Sequence, residues 1–105
     1  MQSKLEIILG LKVVNAVFEP EEEGISFESG VNLGIYNKFE LSGMALSDAH
    51  LLIGKSVINL KEDKETIIIN FEGNLSLKID MRSEAYSGPE ALQLRVPGEP
   101  IVIWN

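Results

Sequence analysis

The chain has 105 residues, 45% of them hydrophobic and none cysteine, and its sixteen acidic against nine basic side chains leave a formal charge of −7. That length suffices for one domain whose core needs neither metal nor disulfide, and the lack of cysteine removes thiol chemistry and cysteine metal sites and favours a reducing compartment. A surface of this sign repels phosphate backbones, which points away from nucleic acid and toward basic proteins; the apolar run Ile7-Ile8-Leu9, cut by Gly10 and Lys12, is too short for a leader or a membrane span, so a cytoplasmic protein with no membrane partner is expected.

Displaced by 44 positions, as from Ser3 to Ser47, the sequence repeats itself without a gap to Ile35 and Ile79. Gly10/Gly54, Val13/Val57, Asn15/Asn59, Ile25/Ile69, Phe27/Phe71, Glu28/Glu72, Leu33/Leu77 and Ile35/Ile79 are identical pairs. The spelling Ser3-x-x-Glu6 is that of a capping box and Gly10 is a stop, which predicts helical turns over 4–9 and, by the repeat, over 48–53 between Ser47 and Gly54. Beyond each glycine the pattern alternates: Val14, Ala16 and Phe18 are assigned to one face of the first strand, Ile58 and Leu60 to its counterpart.

The hairpins that follow close differently in the two copies. Glu19-Pro-Glu-Glu-Glu-Gly24 holds four carboxylates and no cation, whereas Lys61-Glu-Asp-Lys-Glu-Thr66 interleaves two lysines with three acids. The returning strands place Ile25 and Phe27, or Ile67, Ile69 and Phe71, on one face. For Phe27 and Val31 to share a core, Glu28-Ser29-Gly30 must form a three-residue loop whose last residue is left-handed, and Glu72-Gly73-Asn74 can do the same. Third strands run through Val31, Leu33, Ile35 and through Leu75, Leu77, Ile79, Met81; Asn37 to Leu46 is a linker that packs Phe39, Leu41 and Met44. The tail departs from the repeat, with turns at Tyr86–Glu90 and Pro97–Pro100 around a closing hairpin of Leu92, Leu94, Val96 and Ile101 to Trp104.

These readings add up to a mainly β fold, α+β by strict count, with about eight antiparallel strands and two short helices. The strands form a curved sheet or half-barrel, or alternatively a sandwich, within a single domain 1–105 divided into repeat 1 (3–36), repeat 2 (47–80) and a closing hairpin (90–104).

Little points to catalysis. Ser47, Asp48 and His50 are the residue types of a hydrolytic triad but lie on one helical turn, where they cannot converge from separate elements, and read as a cap beside a half-exposed histidine. One histidine and no cysteine argue against zinc, and Gly24, Gly30 and Gly34 lack the strand-to-helix setting of a phosphate loop. Glu28 and Glu72 occupy equivalent turns with nothing to set them across a cleft. The run Glu19–Glu23 is the sharpest local anomaly. It reads as a solvated tip or a docking surface, and its mixed-charge counterpart shows that the fold does not demand an all-acid loop. Trp104 reads as a core plug, and Tyr86, on a rigid turn, as a contact point.

The stretch Leu75-Ser-Leu-Lys-Ile-Asp-Met-Arg-Ser-Glu-Ala-Tyr-Ser-Gly-Pro-Glu-Ala-Leu-Gln-Leu94, with Ile101-Val-Ile-Trp104, resembles small bacterial proteins encoded beside polymorphic toxins, including immunity proteins of contact-dependent growth inhibition systems. The resemblance covers mainly residues 75–105 and implies an antitoxin: a non-enzymatic nuclease inhibitor with no cofactor or metal, which binds a cognate, basic toxin domain and blocks its active site. Under this reading Glu19, Glu21, Glu22, Glu23, Glu28, Asp63, Glu65 and Tyr86 are the partner-binding residues. The alternative is an interaction or assembly module, a homo-oligomer whose edge strands pair; a third reading, a ligand held inside the curved sheet, meets an interior of Ile, Leu, Val and Phe.

Overall fold

The computed structural model describes residues 4–19 and 23–105, and in these residues the chain forms nine strands and four short 3₁₀ segments. The strands are β1 (Val13–Val17), β2 (Gly24–Phe27), β3 (Asn32–Ile35), β4 (Phe39–Ser42), β5 (Val57–Glu62), β6 (Thr66–Phe71), β7 (Leu75–Asp80), β8 (Leu92–Arg95) and β9 (Val102–Trp104). They make two antiparallel sheets, a five-stranded one in the order β1-β2-β3-β8-β9 and a four-stranded one in the order β4-β7-β6-β5. Side chains from both sheets meet in one apolar core, so of the expected architectures the two-sheet form is the one adopted, and no sheet closes into a barrel among the described residues.

Each sheet is one copy of the repeat plus strands borrowed from the other half of the chain. The hairpins β1-β2-β3 and β5-β6-β7 follow the alternating pattern, with Ile25, Phe27, Leu33, Ile35 and their mates Ile69, Phe71, Leu77, Ile79 all buried. After β3 the chain crosses over and lays β4 beside β7, with Phe39 opposite Ile79; after β7 it crosses back and lays β8 beside β3, with Leu92 opposite Ile35. Because Ile35 and Ile79 are repeat mates, β4 and β8 are mates too, displaced by 53 positions (39 to 92) rather than 44. What reads in sequence as a linker is therefore a strand, and part of the tail belongs to the repeat. Nine strands replace the expected eight for this reason.

The two copies meet along a short ladder with twofold symmetry. The Gly10 N–H donates to the Val57 carbonyl and the Gly54 N–H to the Val13 carbonyl, both at 2.8 Å; the Val13 N–H donates to Lys55 O at 2.9 Å and the Val57 N–H to Leu11 O at 3.0 Å. Lys12 and Ser56 are paired at its centre. The identity Glu28/Glu72 is explained here: the Lys12 N–H donates to Glu28 Oε2 at 2.8 Å and the Ser56 N–H to Glu72 Oε1 at 2.7 Å, so each carboxylate clamps the start of its own sheet to the ladder.

Three expectations need correction. The helical turns are 3₁₀ rather than α, Lys4–Ile8 and Leu46–Leu52, and they plug the core with Leu5, Ile8, Ala49 and Leu52. The second starts at Leu46 after Ala45, so Ser47 lies inside it and makes no cap; Ser3 lies outside the described residues. A bulge after Val13 and another after Val57 turn Val14 and Ile58 outward, leaving Val13 and Val57 buried in their place. The turn argument holds with one addition: Gly30 and Asn74 are left-handed as expected, and so are Ser29 and Gly73 before them.

Candidate partner-binding groove

The two crossovers pass at one end of the molecule, and between them lies a groove of about 920 Å³. Its walls come from Glu23 at the start of β2, the 36–38 link, the first residues of β4, Glu65 and Thr66 at the start of β6, Lys78 and Asp80 on β7, and the segment from Arg82 to Ser87. Glu23, Glu65 and Tyr86, three of the residues singled out in the sequence, converge here from three separate connections.

Of the other five, the three that are described fall elsewhere. Glu28 is a backbone clamp, 16 positions from the Lys12 it holds. Asp63 Oδ1 accepts from the N–H groups of Glu65 (2.8 Å) and Thr66 (2.9 Å) and so shapes the β5–β6 turn; those two backbone bonds hold its carboxyl below the ordinary value. Glu19 is exposed at the end of β1, and Glu21 and Glu22 lie outside the described residues. The candidate triad does not line the groove: Ser47, Asp48 and His50 are exposed on one 3₁₀ segment, of which Leu46 alone reaches the lining. Among the described residues no three His, Asp or Glu side chains gather as a metal-ligating group. Trp104 is half-buried against the core, and its Nε1 donates to Glu62 Oε2 at 3.2 Å.

Charge in the groove is mixed. Arg82 is committed to Asp80, at 2.7 Å, with Glu84 at 3.6 Å; the guanidinium draws the Asp80 carboxyl down to about 2, and the arginine is held above its own usual value in return. Glu23, Glu40 and Glu65 line the groove with Lys38 and Lys78, and the mixed-charge β5–β6 hairpin adjoins the rim through Glu65. The lining thus offers carboxylates that no arginine already occupies.

At the base of these walls sits Asn37, 3% exposed and the one buried polar side chain among the described residues. Its Nδ2 donates to the Asp80 carbonyl at 2.9 Å, which fixes the orientation of the amide, and its Oδ1 has no hydrogen-bond partner among the described residues. A buried acceptor left unpaired costs about 1–3 kcal/mol. Asn37 is among the residues lining the groove, but its Oδ1 is itself buried, so a donor entering the groove pairs with it where the wall side chains part. Sequence reasoning passed over Asn37, although the signal was available: Val31, Leu33, Ile35 and Asn37 share one parity, so an asparagine continues the inward face of a strand.

A shallower trough of about 250 Å³ lies on the outer face of the five-stranded sheet, where Gly24 and Gly34 are directly paired and leave no side chains. Arg95, its one charged residue, is bonded to Gln93 Oε1 at 3.1 Å. The groove, with its free carboxylates and unpaired acceptor, is the better candidate. No protein-family model, curated protein or solved structure matches the chain.

Proposed function

We propose that this chain is a cytoplasmic, non-enzymatic immunity protein that binds a basic toxin domain, a nuclease in the first instance, by taking lysine or arginine side chains of the toxin into the groove. The observation that carries the reading is the pairing of requirements at one place: an unpaired buried acceptor at Asn37 in a groove also lined by Glu23 and Glu65. Cationic side chains bring several N–H donors and a positive charge together, which meets both needs at once. Tyr86 on the rim supplies an apolar and hydrogen-bonding contact of the type found at interface hot spots. The acidic tips, with Glu19, Glu21 and Glu22 on one of them, accelerate encounter with a positive active site and mimic the charge of its nucleic-acid substrate.

The test is co-expression with the C-terminal domain of the protein encoded immediately upstream, followed by size exclusion and a growth-protection assay. A one-to-one complex is expected, and Glu23→Lys with Glu65→Lys should abolish both complex and protection while the circular-dichroism spectrum stays that of the folded protein. Protection that survives the double change refutes the groove as the interface. An upstream domain that is harmless and does not associate refutes the immunity reading itself.

A further inference from the structure

Ten large apolar side chains are exposed among the described residues, and six of them form three repeat-equivalent pairs: Ile7 with Leu51, Leu9 with Ile53, and Val14 with Ile58. Elsewhere on the surface the copies diverge freely, Glu6 answering to His50, Lys12 to Ser56 and Lys61 to Val17. The ladder gathers two of the pairs, and Ile7 and Leu51 lie on the 3₁₀ segments that lead into it. Its Gly10–Val57 bond sets Leu9 beside Ile58, its Gly54–Val13 bond sets Ile53 beside Val14, and both bulges turn Val14 and Ile58 toward solvent. The result is one apolar face centred on the Lys12–Ser56 pair, with a pseudo-twofold axis along its normal.

Exposures of 43–61% across these six side chains amount to about 500 Å² of apolar surface, near the top of what a monomer ordinarily carries. With a polar rim it approaches the roughly 800 Å² per partner of a stable interface. Electrostatics favours a second copy over a basic partner at this place. The segments 4–14 and 46–58 hold three lysines and two carboxylates, and Glu28 and Glu72 add two more, so this face carries one negative charge in excess while the chain carries seven. Lys12, at its centre, lies close enough to lower the Glu72 carboxyl, after the backbone and side-chain bonds of Ser56 and the charge of Lys55.

We propose that this face is the contact surface of a homodimer, with the dimer axis in the plane of the patch, so that four copies of the repeat are arranged about three mutually perpendicular axes. An isologous contact sets a patch against itself, and a patch that already repeats its side chains about its own normal presents each of them with an apolar neighbour. The inference is independent of the toxin reading, because none of the six apolar side chains lines the groove, which the second segment reaches only through Leu46.

Sedimentation velocity of the full chain from about 1 to 200 µM, a range that brackets micromolar affinities, should show the mass rise from 11.6 kDa toward twice that value. Ile58→Lys and Leu9→Lys should each weaken association at least tenfold, and Ile103→Lys, on the outward face of the β9 edge strand, should leave it unchanged. A mass fixed at 11.6 kDa over the whole range overturns the proposal, as does an Ile58→Lys variant that associates like the parent. Should the lysine variants lose their folded spectrum, dilution of the unaltered chain followed by amide chemical shifts decides the matter: shifts confined to residues 7–14 and 51–58 support the face, and shifts along β4 or β9 overturn it in favour of edge pairing.

Discussion

Replacing Asn37 by leucine separates the stability of this protein from its binding. The change removes the Nδ2 bond to Asp80, 2.9 Å and part-buried, which costs about 1 kcal/mol once the freed carbonyl turns to water. It also removes the unpaired Oδ1, whose desolvation costs about 1–3 kcal/mol in the native state. Leucine keeps the branched outline of asparagine but is larger, so overpacking at this buried position costs about 1–3 kcal/mol, offset by about 1.5–3 kcal/mol from burying its apolar side chain. The balance is a gain of about 1 kcal/mol, seen as a rise in Tm of roughly 4–8 °C for a domain of this size. The same variant should bind the toxin domain at least tenfold more weakly, because the acceptor for the inserted donor is gone. Thermal denaturation followed by circular dichroism checks the first half, and titration calorimetry the second. A Tm that falls by several degrees would mean that Oδ1 is already satisfied in the free protein, and the argument for a donor in the groove would fail.

Three further outcomes follow from the same structure. Glu28→Ala and Glu72→Ala should each lower the Tm, by similar amounts, since each removes one carboxylate clamp on the shared ladder; thermal melts in which only one of them matters would show that the repeat is not symmetric in energy. Gly43→Ala should cost more than Gly10→Ala: both glycines are left-handed, which costs an alanine about 1–2 kcal/mol, but a Cβ at Gly43 would also meet Asn74 O at 2.7 Å and Leu75 Cδ2 at 2.8 Å, and denaturant midpoints for the two variants decide it. Asp63, Glu72 and Asp80 all have carboxyls lowered in the folded state, Asp80 to about 2, so the unfolded chain takes up protons first; stability should hold above about pH 4.5 and fall as pH drops from there toward about 2, with Asp80→Asn flattening the acid end of that profile.

The repeat made the two three-stranded halves legible because its identities fall on positions that the fold cannot change cheaply. Ile25, Phe27, Leu33, Ile35 and their mates fill the core, Glu28 and Glu72 hold the ladder, and Asn15 and Asn59 re-enter the pairing register just after each bulge. The strand β4 stayed hidden for a physical reason. It has four residues, its partner strand lies 40 positions away in sequence (Phe39 to Ile79), and its repeat mate β8 falls out of register because the path from Ile79 to Leu92 is nine residues longer than the path from Ile35 to Phe39. The groove stayed hidden with it. Glu23, Asn37, Glu65, Asp80 and Tyr86 come together only because both crossovers exchange strands between sheets, and no local pattern encodes an exchange.

The groove and the apolar face also differ in their physics, and the difference gives a test that neither structure nor affinity alone provides. A complex formed by Glu23, Glu65 and the acidic tips against a basic domain is held partly by charges near the rim, where the screening length shrinks from about 30 Å at 0.01 M salt to about 8 Å at 0.15 M; its association rate should fall steeply as salt rises. Two copies of a chain of charge −7 repel each other at long range while their contact is apolar, so the same increase in salt should tighten the homodimer. Because none of the six apolar side chains of the face lines the groove, both contacts can form together, and at low micromolar concentration in moderate salt the assembled species should contain two chains and two toxin domains. Light scattering across a salt series reads both trends in one experiment. If toxin binding and self-association weaken together as salt rises, the dimer contact is not apolar and the face centred on Lys12 and Ser56 is not its seat.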